Sequence, residues 1–507
     1  MTWILAFLPL FLILLLMTVI HWSAAKAGTA GWLTAILIGW FVFQAGPDVL
    51  LTAHLKAVFI IIDVLLIVWG AYLLYRVTDE AGAIQSLVDT LPQLTTDRIR
   101  QALLIGWVFA TFLQGVGGFG VPVAITAPLL VRLGFSRHQA VIIPSIGHGW
   151  AVTFGSLALS FYALTAASGL PGEMLTGSST LLLGLVGMLA GFQITHSIGG
   201  WQAVRRLAVE VFLIGISMAG TQFVLARLGL WSSASFGGGL AGLFTAALLY
   251  RRVNGTNDSS RPSIKSFLPG LFSYMVLIVI VAAVQYWQPL KDLLSAPVLG
   301  ADFPLVETGL GFITPAGRSR EIPLLHHTGT LLMYASLFSY FYFLRTGAYR
   351  SGAGKRILSS TLHGVAPSSL GIMAAVAMAV VMSHAGMVDT LAKGIASSTG
   401  MLFPAASPWI GALGAVITGS NTNSNVIFAS LQLQTARLLG LNVALILAAQ
   451  TAGGAIGSAI APSKIIVGAS TTGMTGHEGQ VMKALLKPIA LQLIVLSVVV
   501  WLLALLL

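Results

Sequence analysis

Gly419-Ser-Asn-Thr-Asn-Ser-Asn425 interrupts a stretch that is otherwise apolar enough to cross a bilayer. Lipid offers no hydrogen bonds, so irregular backbone at that depth is tolerated only where it is buried in protein or lines a watery cavity. An unbroken run of amide and hydroxyl side chains behind one glycine therefore predicts a site.

Hydrophobic residues make up 56% of the 507-residue chain and charged residues 8%, the mean hydropathy is +0.91, and apolar runs of bilayer length recur to Leu507. The chain reads as an all-α polytopic membrane protein whose partner is the lipid bilayer. Its net charge of +11 does not point to nucleic acid, because Lys and Arg cluster in short connections between apolar runs, as positive-inside topology requires. With no cysteine there is no thiolate nucleophile, disulfide or Cys-metal site, and the redox compartment stays open. No HExxH-type metal spacing occurs, and no cofactor is expected. The first run lacks a preceding basic residue and exceeds a usual signal-peptide core, so it is expected to be a retained helix.

The basic connections 76–100, 205–206, 251–265 and 345–356 read as cytoplasmic. Between them lie roughly twelve apolar runs of about twenty residues: 3–22, 29–46, 52–75, 139–167, 177–198, 207–229, 233–250, 266–288, 324–345, 361–384, 441–470 and 488–507. Both termini are then expected outside. Segments 101–133, interrupted at QGVGGFG (Gln114 to Gly120), and 407–436, interrupted at GSNTNSN, begin and end on one side and read as re-entrant hairpins. Each is followed by a long run with its own interruption, GHGWAVTFGS (Gly147 to Ser156) within 139–167 and AGGAIGSAIAPS (Ala452 to Ser463) within 441–470. The charge pattern sends the hairpins in from opposite faces. The reading is two inverted repeats, 1–250 and 251–507, and paired interruptions of this kind mark a carrier's midplane site. Close helix packing is the competing use of these glycines.

Half-helices that point their N-termini at the midplane suit an anion, here a small organic acid. Ser420, Asn421, Thr422, Asn423, Ser424 and Asn425 can donate to its oxygens, while freed carbonyls suit a cation; QGVGGFG offers Gln114 and glycines, Gly117 and Gly118 among them, that allow close approach. A phosphate-loop reading fails, since no Gly-Lys-Ser/Thr follows.

On GGFGVPVAITAPLLVRLGF (Gly117 to Phe135), VTFGS (Val152 to Ser156), TGSNTNSNVIFASLQ (Thr418 to Gln432) and TAGGAIGSAIAPSKIIVGAS (Thr451 to Ser470), in that order, the chain resembles the bacterial L-lactate permeases. The resemblance implies proton-coupled import of lactate and related 2-hydroxymonocarboxylates across the bacterial inner membrane. It also implies the ion transporter superfamily fold, with elevator movement of a transport domain against a scaffold and a homodimer built on that scaffold. Thr451, Ser463 and Lys464 join the binding residues within its last motif. The chain departs from the family pattern where a Glu is common at Gln114, an Asp at Asn421, an Asn at His148, a Lys at Ser458 and a Gln at Lys464, so coupling is expected to have moved.

Asp63 lies mid-run, where a carboxylate costs ~2.5–3.5 kcal/mol on insertion scales; it is either a proton-coupling residue or hydrogen-bonded to a neighbouring Ser or backbone. His148, inside the first helix break, is the other coupling candidate. Lys464 either meets the substrate carboxylate or snorkels to an interface. His326, His327, His363 and His384 read as interfacial, and Glu173, Glu210, Asp302, Glu307, Glu321, Asp389 and Glu478 as solvated. The expected function is a symporter of L-lactate, D-lactate or glycolate. Sodium coupling, or no coupling, is the alternative; a channel is a weaker one, and an integral-membrane enzyme weaker still for want of paired carboxylates or a His-rich cluster.

Overall fold

Apolar runs with no water to bond must satisfy their peptide groups internally, and helices do so within one segment. The computed structural model describes residues 2–20, 22–118, 120–253 and 264–506 and is 82% helical. Eight of the described helices are long and apolar enough to cross a bilayer, or nine when the bent pair Arg137–Ala151 and Gly155–Ser168 counts as one. Predicted runs 177–198 and 207–229 belong to a single stretch, Gly172–Arg227, broken at Gly200 (φ 61°, ψ −164°). At ~1.5 Å per residue such a stretch far exceeds an ~30 Å hydrocarbon core. It doubles back at Gly200, since a Cβ on Gly184 would sit 3.0 Å from the Ala219 methyl and one on Gly215 would sit 2.7 Å from Met188.

Ion pairs gather the basic connections at one end. Arg356 pairs with Glu80 at 2.7 Å, Arg206 with Asp97 at 3.2 Å, and Arg100 with Glu210 at 2.7 Å. Glu210, expected on the solvated surface, is thus a largely buried partner of Arg100. The run 251–265 lies largely outside the described residues. At the opposite end, 298–323 forms a nested antiparallel β-hairpin, pairing Val298–Leu299 with Ile322–Pro323, Asp302–Phe303 with Gly317–Arg318, and Val306–Glu307 with Ile313–Thr314. Ladders of two residues are too short to leave a periodic signal. The β-hairpin is anchored by the Gly309 N–H donating to the Gln44 carbonyl (2.9 Å) and by Phe303 packing edge-on to Phe59.

Two helical hairpins stand at the predicted segments. In the first, Arg98–Leu103, a π-helical turn Leu104–Phe109 and Ala110–Val116 lead to Val121–Arg132. The Arg98 guanidinium closes its mouth by donating to the Gly134 carbonyl (3.1 Å) and lying over the Phe135 ring. In the second, Phe403–Thr418 leads to Asn421–Leu438, and Gln432 donates from its amide to the Ser407 carbonyl (3.1 Å) across the mouth.

The irregular stretches are shorter than the sequence predicted. In GSNTNSN only Gly419 (φ 73°) and Ser420 leave the helix; Asn421 to Asn425 form the first turn of the second arm. In AGGAIGSAIAPS the helix Val443–Ser458 persists through the glycines, and the interruption is confined to 459–461 before Pro462–Thr472. Those glycines serve close packing instead: a Cβ on Gly453 would collide with the Pro408 carbonyl and one on Gly457 with that of Ala412. The first broken helix is irregular over more of its predicted length. Arg137–His148 runs into a tight turn, Gly149–Ala151, and then into Gly155–Ser168, with a bend of 48°.

Ser156, Leu157 and Ala158 there have φ of 48°, 58° and 67°, a left-handed turn that costs L-residues about 1–2 kcal/mol each. Gly118 (φ 59°) lies directly under the Ser156 hydroxyl, where any Cβ would strike it. Replacing Ala158 by Gly is expected to stabilise the protein by about 1 kcal/mol, read as a higher thermal midpoint of the detergent-solubilised chain, whereas Gly118→Ala is expected to lower it.

Candidate substrate site

The two interruptions meet: a Cβ on Gly149 of the first would sit 3.4 Å from the Ala459 methyl of the second. The Thr153 hydroxyl lies 3.1 Å from the Thr451 hydroxyl and within reach of the Thr451 carbonyl at 3.2 Å, joining the first broken helix to the second. Asn421 donates from its amide to Thr153 Oγ1 (3.2 Å) and Thr451 Oγ1 (3.4 Å), while Asn425 donates to Thr451 Oγ1 (2.9 Å) and the Ser160 carbonyl (2.8 Å). The Thr422 and Ser160 hydroxyls bond at 3.0 Å. The second hairpin's polar turn is therefore sewn to both broken helices, and all of these side chains are buried.

The first hairpin approaches from the other side. Gly118 lies under Ser156, Gln114 packs against Gly155, and Gly120 faces Val467 of the helix Pro462–Thr472. Ser463, at the start of that helix, reaches over Gly419. QGVGGFG and GSNTNSN thus flank the same two breaks, although Ser463 itself is exposed.

Several polar atoms here have no hydrogen-bond partner: Gln114 Oε1, His148 Nε2 and the Oδ1 atoms of Asn421, Asn423 and Asn425. His148 Nδ1 lies 2.6 Å from the Pro144 carbonyl; a carbonyl only accepts, so the neutral ring carries its proton on Nδ1 and leaves Nε2 a bare lone pair. Lys464 is buried, and its ammonium donates to Ser458 Oγ at 3.0 Å. No carboxylate pairs with it among the described residues. It does not snorkel, because the short helix that begins at Pro462 turns its stem inward beneath the break. A buried ammonium with one neutral partner is costly unless an anion arrives, and this one sits in the first turn of a helix whose N–H groups also favour negative charge.

Ser424 and Thr451 are less available to a substrate. Ser424 donates to the Gly411 carbonyl (2.7 Å) and accepts from Gln450 (3.0 Å), and the Thr451 hydroxyl is the hub of the amide network. The sequence reading passed over Thr153 and Ser160, whose hydroxyls are ordinary in an apolar run; the position of Thr153 inside the first interruption was the available signal.

Asp63 lies apart from this network. Both of its oxygens are engaged, one by Arg320 of the β-hairpin (3.1 Å) and the other by His327 Nε2 (2.8 Å). The anticipated Ser or backbone partner is replaced by a cation and a ring. His327, expected at an interface, is buried.

Broken helices stitched together over an unpaired ammonium, in a chain of membrane-spanning helices, define a multi-pass membrane protein of the transporter class. The chain belongs to the L-lactate permease family, whose model matches residues 2–507. It is 27% identical over 519 aligned residues to "Glycolate permease GlcA" of Escherichia coli (strain K12), covering 95% of this chain and 92% of that one. It is 26% identical to "L-lactate permease" of Halalkalibacterium halodurans, covering 95% and 93%. Among solved structures, Neisseria gonorrhoeae MtrF, described as illuminating a class of antimetabolite efflux pumps, aligns over 92% of this chain and 83% of its own with a TM-score of 0.45 and 12% identity, too weak a likeness to build on. A permease of this family is a transporter and not an enzyme.

Replacing Lys464 by Met keeps its bulk and removes the unpaired charge. The variant is expected to melt at a higher temperature than the wild type while losing uptake; a lower melting temperature would show that the ammonium is already compensated.

Proposed function

We propose that this chain is a secondary active symporter of small 2-hydroxymonocarboxylates, such as L-lactate, D-lactate or glycolate, across the bacterial inner membrane, with protons as the coupling ion. The observation that carries the reading is the buried Lys464 ammonium in the first turn of its helix, bonded to Ser458 alone, together with unpartnered amide oxygens on Gln114, Asn421, Asn423 and Asn425 around the helix breaks. The substrate carboxylate meets the ammonium and the Ser463 N–H at the start of Pro462–Thr472. Its 2-hydroxyl donates to Gln114 Oε1 or to an asparagine Oδ1, which a plain carboxylate cannot do. Two relatives aligned over nearly their whole length, named as glycolate and L-lactate permeases, agree in chemical class.

His148 is the favoured proton carrier, since its Nε2 lone pair is free among the break residues while both Asp63 oxygens are taken. In the same reading the helical hairpins are re-entrant, segments 1–250 and 251–507 are inverted repeats making about twelve crossings, and the assembly moves its site as an elevator against a dimeric scaffold. The closed mouths of both hairpins support this arrangement. Sodium coupling is the second reading, favoured by the asparagine Oδ1 atoms, which are the hard oxygen ligands that such a cation takes.

Counterflow of labelled L-lactate in proteoliposomes tests the carrier, and imposed pH or sodium gradients separate the couplings. Asn425→Leu is expected to abolish counterflow in a folded protein. His148→Gln is expected to keep counterflow and lose acceleration by an inward proton gradient, whereas Asp63→Asn keeps that acceleration. A sodium-driven wild type indifferent to pH would overturn proton coupling.

A further inference from the structure

A cavity of about 360 Å³ lies at the end of the molecule away from the basic connections, between the helices Pro47–Glu80 and Ala353–His384 and the β-hairpin. Its volume falls in the ~300–1,000 Å³ range of ligand pockets. The charged and titratable groups on its wall are Lys56, Arg318, Arg320 and His384. The acids nearby are spent on two of them: Asp63 holds Arg320, and Asp302 and Glu321 hold Arg318. Lys56 has no carboxylate partner among the described residues, its ammonium lying 5.5 Å from the centre of the Phe303 ring. His384 Nδ1 bonds the Val380 carbonyl at 2.9 Å, which leaves Nε2 buried without a partner. The far wall is Val426 and Ser430, on the helix whose first turn carries Asn421 to Asn425.

From this geometry we infer a second anion site, a vestibule in which a small hydroxy-carboxylate docks its carboxylate on Lys56, with His384 Nε2 accepting from its hydroxyl, before it reaches the helix breaks. The inference rests on the carrier reading for the identity of its ligand. The cations of the β-hairpin are already neutralised, Arg318 by the hairpin's own acids and Arg320 by Asp63, so the hairpin forms the lid and Lys56 supplies the unbalanced charge. Such a site raises the local concentration of anions at the threshold of the amide cluster and rejects cations.

The natural absence of cysteine makes the test clean. Ser383→Cys puts one thiol at the exposed rim of the cavity, and its modification in nanodiscs is followed with an anionic sulfonatoethyl and a cationic trimethylammonioethyl methanethiosulfonate. The anionic reagent is expected to react about 10-fold faster, and Lys56→Gln to remove most of that preference. L-lactate is expected to slow the anionic reagent both in Ser383→Cys alone and in combination with Asn425→Leu. Equal rates for the two reagents would overturn the vestibule. So would lactate protection that vanishes with Asn425→Leu, because it would then arise at the helix breaks. Protection that persists while the wild type shows no counterflow would sink the carrier reading and leave the second site standing.

Discussion

Interrupting a helix inside a bilayer frees peptide groups that lipid cannot satisfy, and each buried group left unpaired costs about 1–3 kcal/mol. The structure meets this constraint by placing its interruptions against one another. Thr153 and Thr451, nearly 300 positions apart, share a hydrogen bond, the Asn421 amide bridges the same pair, and that of Asn425 joins Thr451 to the Ser160 carbonyl. Neither broken helix has a complete set of partners by itself. The glycines around them follow from the same demand: Gly453, Gly454 and Gly457 bring the second hairpin's first arm close enough for its turn to reach across, and Gly118 leaves room for the Ser156 hydroxyl.

Charge is handled in two opposite ways. Asp63 is fully answered, with Arg320 on one oxygen and His327 on the other, so the β-hairpin is tied to a membrane-spanning helix by a compensated pair. Lys464 is left with a serine hydroxyl. The fold thus neutralises one buried charge and leaves the other with a neutral partner, and the unpartnered amide oxygens around the breaks have the same character.

Much of this was legible in the sequence. The helices stand on the predicted apolar runs, both hairpins and both breaks fall inside the predicted segments, and the four motifs placed the chain in its family. The extent of the irregular backbone was overestimated, because glycine in a membrane helix signals either a break or a close contact, and only the partner across the contact distinguishes the two. AGGAIG proved to be contact, and the polar run after Ser420 proved to be a helical turn.

Local pattern therefore decided what local physics controls: which segments are helical, where they are interrupted, and that polar groups accumulate at the interruptions. Tertiary structure alone decided the partners. Nothing near Asp63 in the chain announces Arg320, more than 250 positions away, and nothing near Lys464 reveals that its stem turns inward onto Ser458 instead of out to the membrane surface. Hydropathy and helical periodicity report the burial of a segment's own faces, whereas hydrogen-bond and ion-pair partners depend on how distant segments are brought together.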